Sequence, residues 1–328
     1  MSHSNFVNLP ANLDDYIVSK ITYPSVILTQ KQTGKKVEIT FYHIFPNLVD
    51  DIFFINAVKF LNVDLPGVAK TTAFYLPLNE NSADGSIEFK FNLQHENEND
   101  YELTNEHRFI ITDYYKNGNT YQLTKKYLQT KGANNDKMNP TIRSKIIFGV
   151  AAIIKQLHKK GLFNCDLKNS TTFLDDNFEP VIKDFGIHDH ILGLVNLQMT
   201  VIVPLPYQIA PEIFLSDEIT PACDVYSYAF FLYLMFSSNI NFSRTFNNNS
   251  EIIYYKYVSE GYRPFRPENI PDHYWDLIEE CWNSDPDARP SIDHIVELLR
   301  DDKFALNEFG QETDLEKLHE YQNRIDPL

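Results

Sequence analysis

Between Tyr16 and Tyr115 apolar and polar residues alternate in short runs, the period of strands that bury one face. Val26-Ile27-Leu28 and Val37-Glu38-Ile39 flank Thr33-Gly34-Lys35-Lys36, a composition that predicts a hairpin turn. One segment in this half departs from the strand period. Val49 to Asn62 is spaced as a helix and stops before Pro66-Gly67. Residues 79–107 are acidic and rich in asparagine and predict an insertion or a hairpin, with strand alternation from Ser86 to Leu93.

After Gly118 the period lengthens to that of helices. Asn139-Pro140 reads as an N-cap followed by proline in the first turn; Ile142, Ile146, Val150, Ile153 and Leu157 then line one face up to Gly161. An apolar helix ending near Ser237 is expected to be capped by Asp224, and Ser291 caps another over Ile292 to Leu299. The last residues, 302–328, are polar with a faint helical stripe from Leu315 to Ile325. No internal repeat is visible. Strands first and helices afterwards predict an α+β fold in two lobes.

Composition narrows the function classes. The chain is 43% hydrophobic and 14% aromatic, enough for a sizeable core. Its 45 acidic against 29 basic residues give a formal charge of −16, which repels nucleic acid and anionic membranes. Cys165, Cys223 and Cys281 lack metal-finger spacing and cannot all pair within one chain, so free thiols in a reducing, cytoplasmic setting are expected. The first residues have no basic and apolar leader pattern, and the longest apolar run, Ala229 to Phe236, is too short to span a bilayer.

Four short motifs then occur in order. Leu157-His158-Lys159-Lys160-Gly161 is followed by Asp166-Leu167-Lys168; eighteen residues after Asp166 comes Asp184-Phe185-Gly186, and Ala210-Pro211-Glu212 follows. Together they resemble the catalytic core of eukaryotic protein kinases. Asp224-Val225-Tyr226-Ser227, Gly261-Tyr262-Arg263-Pro264 and Cys281-Trp282 through Arg289-Pro290 extend the likeness, the last pieces towards the tyrosine-kinase-like group. The resemblance implies a kinase-like domain over 13–301, flanked by an N-terminal extension, 1–12, and a polar tail, 302–328. A strand-rich lobe, 13–115, would carry the 79–107 insertion and join a helical lobe, 119–301. Thr112, Tyr114 and Tyr115 would stand at the gatekeeper and hinge, and Glu212 would pair with Arg289. Asp224, Phe185 and Gly186 would serve structure.

Against that pattern the phosphate-handling positions are altered. Phosphoryl transfer needs positioned positive charge and close backbone N–H groups around the phosphates. Where the glycine-rich loop should lie, Thr22-Tyr23-Pro24-Ser25 has no glycine and is about three residues short. Thr40 stands at the phosphate-binding lysine, and Asn56 at its glutamate partner. Glu38 replaces the alanine that roofs adenine, and Phe173 the leucine that floors it. In the catalytic loop Asn164 and Cys165 replace His and Arg, and Thr171 replaces the metal-binding asparagine. Leu205 replaces the threonine that would bond to Asp166 and Lys168. Asp166, Lys168 and Asp184 remain, at the positions of the base, a phosphate contact and one metal ligand.

These departures predict a catalytically inactive kinase-like domain that acts as a signalling scaffold or allosteric partner of other signalling proteins. No cofactor is expected. Two alternatives stay open: an active or weakly active serine/threonine kinase using ATP and Mg²⁺, with Lys20 or Lys36 standing in for the lost lysine, and a nucleotide-binding switch without catalysis.

Overall fold

The structure, a computed structural model, describes residues 6–8, 16–22, 25–42, 63–76, 91–95, 98–103, 108–133, 137–163, 167–183, 208–213, 220–238 and 260–327. These fall into two compact units. The first takes the described residues up to Val63 and Ala69–Tyr114; the second takes Asp64–Val68 and the described residues from Tyr115 onward.

The first unit is built on strands β1 (Phe6–Asn8), β2 (Tyr16–Thr22), β3 (Ser25–Gln30), β4 (Lys36–Tyr42), β5 (Thr71–Leu76) and β8 (Arg108–Asp113). They form one antiparallel sheet in the order β1-β5-β8-β4-β3-β2. Alternation decides which face is dry. Val26 opposes Ile39, Ile39 opposes Ile111, and Leu28 opposes Val37, and all five are buried. The turn predicted at Thr33-Gly34 joins β3 to β4, with Gly34 N–H donating to Gln30 O at 2.8 Å. The 79–107 region contributes a separate hairpin, β6 (Phe91–His95) with β7 (Glu98–Leu103). Of the strand alternation predicted from Ser86 to Leu93, Phe91 to Leu93 fall in β6, and residues 77–90 lie outside the described ones. Phe6–Asn8, assigned from sequence to an extension, pairs with β5 at the sheet edge. The predicted helix at Val49–Asn62 lies outside the described residues.

The second unit is mainly helical: α1 (Thr120–Gln129), α2 (Pro140–Lys159), α3 (Pro221–Phe236), α4 (Asp272–Cys281), α5 (Ile292–Leu298) and α6 (Leu315–Ile325), with a small ladder of β9 (Thr172–Leu174) and β10 (Pro180–Ile182). The predicted cap of α2 is present: Asn139 accepts from Ile142 N–H at 2.9 Å, with Pro140 in the first turn. Helix α3 runs through the middle, and every residue from Cys223 to Phe236 is buried. Its start corrects one expectation. Asp224 lies inside the first turn and is not the cap; Pro221 can sit there because its missing N–H is one that a first turn leaves unpaired, so the helix begins after Thr220. The Asp224 carboxylate reaches instead to His158 Nε2, at 2.8 Å, tying α3 to the end of α2. Among the described residues no helix is long and apolar enough to cross a membrane.

The polar C-terminal segment is folded onto this unit. Its faint stripe becomes α6, capped by Asp314, with Leu318, Tyr321 and Ile325 buried. Arg143, fully buried between the Tyr127 and Phe236 rings, donates to Met235 O at 2.6 Å and to Glu308 Oε1 at 3.1 Å. At the far end, Lys155 reaches Asp326 at 2.9 Å. Burial alone would raise the Asp326 carboxyl, but hydrogen bonds from Lys155 and Arg300 hold it below the usual carboxylate range.

Gly149 makes the close approach of α6 possible. A Cβ at this position would lie 2.1 Å from Tyr321 Oη and 2.6 Å from Pro180 Cγ. Alanine is ordinarily better than glycine inside a helix by ~1 kcal/mol. Here Gly149→Ala is expected to lose about 1–3 kcal/mol through overpacking. Chemical denaturation measures this, and adding Tyr321→Phe should recover part of the loss because the two changes share one contact. A Gly149→Ala variant as stable as the parent would show that α6 does not pack here.

Candidate functional site

In the first unit, the connection between β2 and β3 stands where the resemblance sets a phosphate-wrapping loop. Thr22 pairs directly with Ser25, so residues 23 and 24 alone connect the strands. A two-residue hairpin connection has no length to fold over phosphates and few backbone N–H groups to offer them. Across β3, Ser25 opposes Thr40. The Thr40 side chain is buried, and its hydroxyl lies 3.4 Å from Ser25 Oγ. At the position where the resemblance sets a lysine, the strand thus carries a short neutral side chain.

The next inter-strand row holds Ile27, Glu38 and Thr112, opposed in that order across β3, β4 and β8. Glu38 is half-buried and Thr112 buried. Alternation places this row on the sheet face opposite Val26, Ile39 and Ile111. A carboxylate therefore shares a face with Thr112, which the resemblance sets at the gatekeeper. The candidate stand-in lysines are both exposed: Lys20 lies on β2, and Lys36 sits over the Tyr114 ring at 5.9 Å. Beside it, Lys35 pairs with Asp113 at 2.6 Å.

In the second unit the chain turns at Gly118, whose φ of +84° lies in the left-handed region that glycine favours. This lets the strand pairing restart: Leu174 N–H donates to Gly118 O at 3.0 Å, and Asn119 bridges Phe173. Asn119 then caps α1, accepting from Gln122 N–H at 3.0 Å. The Phe173 ring lies 6.1 Å from that of Tyr115.

The end of the catalytic-loop region is organised around one carbonyl. Lys168 O accepts from Thr171 N–H at 3.2 Å, Thr172 N–H at 3.0 Å, Thr172 Oγ1 at 2.8 Å and Thr171 Oγ1 at 3.3 Å. The Thr171 hydroxyl is thus engaged by its own loop. Thr171 O in turn accepts from Lys183 N–H at 2.9 Å. Lys168 is buried, and the adjoining Asn169 donates to Phe231 O on α3 at 3.2 Å. Sequence reasoning passed over Lys183, which is 1% exposed with Nζ 5.3 Å from the Phe173 ring centroid. The only signal for it was its place directly before Asp184, and a lysine there reads as solvated until the packing is seen.

Below the loop stands the pair expected of the family. Glu212 receives two bonds from Arg289, at 2.6 and 2.9 Å. Arg289 also donates to Ala222 O and Asn283 O, each at 2.9 Å, and lies over the Tyr226 ring. Cys223 lies 3.5 Å from Glu212, and burial pushes its thiol up to about 12, so it is inert as a nucleophile. Asn56, Asp166, Asp184, Phe185 and Gly186 lie outside the described residues, as do Asn164, Cys165 and Leu205.

The comparisons agree with this architecture. The family model described as protein tyrosine and serine/threonine kinase matches residues 99–299. A Dictyostelium discoideum protein named "Probable serine/threonine-protein kinase" is 28% identical over 193 residues, 58% of this chain and 14% of that protein. The same organism's RGS domain-containing serine/threonine-protein kinase A is 30% identical over 191 residues, 58% of this chain and 16% of that protein. The dual serine/threonine and tyrosine protein kinase of Apis mellifera is 29% identical over 186 residues, 54% of this chain and 19% of that protein. The chain therefore spans under a fifth of the length of each of these relatives. With motif order, strand register and the Glu212–Arg289 pair all in agreement, the chain belongs to the protein tyrosine and serine/threonine kinase family.

Proposed function

We propose that this domain is a pseudokinase: a kinase fold of the tyrosine-kinase-like group that signals by binding other proteins and does not transfer phosphate. The observation that carries the reading is the pairing of Thr22 with Ser25, which leaves a two-residue turn in place of the phosphate loop. Thr40 at the lysine position and Glu38 beside the gatekeeper position support it, because a triphosphate there would meet a carboxylate and a neutral hydroxyl. Thr171 supports it too, since its hydroxyl, held towards Lys168 O, is shorter in reach than the amide carbonyl of an asparagine. The short β2–β3 turn, Thr40, Glu38 and Thr171 do not fit a nucleotide–magnesium complex. Cys281-Trp282 and Arg289-Pro290 support the group assignment, and the charge of −16 argues against nucleic acid or anionic lipid as the partner. Two buried free thiols, Cys223 and Cys281, favour a reducing cytoplasmic setting.

A second reading, an active serine/threonine kinase using ATP and Mg²⁺, draws on the naming of the relatives as serine/threonine kinases and on the retained Asp166-Leu167-Lys168. A thermal-shift titration with ATP, with and without Mg²⁺ or Mn²⁺, separates the two. Ligand at 100 times its dissociation constant stabilises by ~2.7 kcal/mol, a shift easily seen. The pseudokinase reading expects none at millimolar ATP; a metal-dependent rise would favour the kinase or a nucleotide-binding switch.

A further inference from the structure

Lysine is among the residues least often fully buried, and a buried ammonium needs compensation. Lys183 is 1% exposed. Its backbone leaves β10 and donates to Thr171 O at 2.9 Å, so the β9–β10 ladder fixes where its side chain starts. From there Nζ reaches the Phe173 ring, 5.3 Å from the centroid, within the range of a cation–π contact. Phe173 is itself held in place, with its backbone bridged to Asn119 and its ring beside Tyr115. Phe173 occupies the position that floors adenine in the family. The face of the ring that carries the ammonium is not free for a stacked base.

We propose that Lys183 is a built-in occupant of the base-binding position, a side chain that takes the place on Phe173 where a purine would stack. The inference rests on the pseudokinase reading and gives it a cause that single substitutions can reverse. Removing the occupant frees the ring without restoring a phosphate-binding lysine, so the gain should appear with a purine nucleoside before it appears with ATP.

The test uses adenosine, which has no phosphates, on the full chain and on Lys183→Met, Lys183→Thr and Lys183→Ala, each checked for folding by circular dichroism. The parent and Lys183→Met, which keeps the bulk, should show no thermal shift. Lys183→Ala should rise by about 3 °C or more at saturating adenosine, and Lys183→Thr should rise as well, which keeps the test open where the alanine variant does not fold. A folded Lys183→Thr or Lys183→Ala protein without any shift would overturn the occupant while leaving the pseudokinase reading intact. A parent protein that shifts with Mg²⁺-ATP, and loses the shift in Lys183→Met, would make Lys183 a phosphate contact and overturn both.

Discussion

Replacing Arg289 with alanine is expected to cost about 3–5 kcal/mol of stability, the range for breaking a buried ion pair from one side. The side chain of Arg289 is fully buried and that of Glu212 is 15% exposed. Four hydrogen bonds leave with the guanidinium: two to Glu212, one to Ala222 O and one to Asn283 O. Desolvated carbonyls and a carboxylate that lose their donors are penalised more than the bonds themselves contribute, and that asymmetry sets the size of the effect. The contact over Tyr226 is lost as well. Arg289→Lys should recover only part, because an ammonium cannot make the paired contact to Glu212 and still reach both carbonyls. Urea unfolding followed by circular dichroism measures both variants. A loss below ~1 kcal/mol for Arg289→Ala is the value of an exposed pair and would contradict this packing.

This pair was legible in the sequence because the motifs that carry it are short, local and rigidly spaced. Asn139-Pro140 and Thr33-Gly34 were legible for a related reason: a cap or turn residue acts within a few positions of itself, so its neighbours in sequence are its partners in space. The start of α3 was within reach too. Thr220-Pro221 is a start signal, but Asp224 offered a more familiar cap and the proline was passed over. Features that depend on distant partners were not legible. Phe6–Asn8 is too short to show a strand period and is a strand because β5 offers an edge. The polar average of 302–328 hid a stripe of Leu318, Tyr321 and Ile325, whose burial requires Gly149 on α2 to lack a side chain. Lys183 shows the same limit at the candidate site. Nothing local marks a lysine as buried; the burial of Lys183, with Nζ over the Phe173 ring, is visible only in the packing.

Phosphate transfer is expected to be lost by the widest margin. Removing one preorganised charge-stabilising group typically slows an enzyme ~10²–10³-fold. Thr40 and Thr171 stand where two such groups would be. Starting from the ~1–100 per second of active kinases, two losses leave about 10⁻⁶ to 10⁻² per second even with ATP bound. On the proposed reading the short β2–β3 turn, Glu38 and Lys183 over the Phe173 ring would each weaken binding as well, which would lower the figure further. Asp166 and Asp184 do not rescue the reaction on this account, because two carboxylates need positive partners to manage the charge of ATP.

The most direct measurement is incorporation of labelled γ-phosphate by the purified chain, into itself and into generic protein substrates, with Mg²⁺ and with Mn²⁺, beside an Asp166→Asn variant and a mock preparation. The account predicts equal background in all three, with any effect of Asp166→Asn confined to stability. Label above background that disappears in Asp166→Asn, while that variant remains folded, would show that the domain is an unusual kinase and contradict the account.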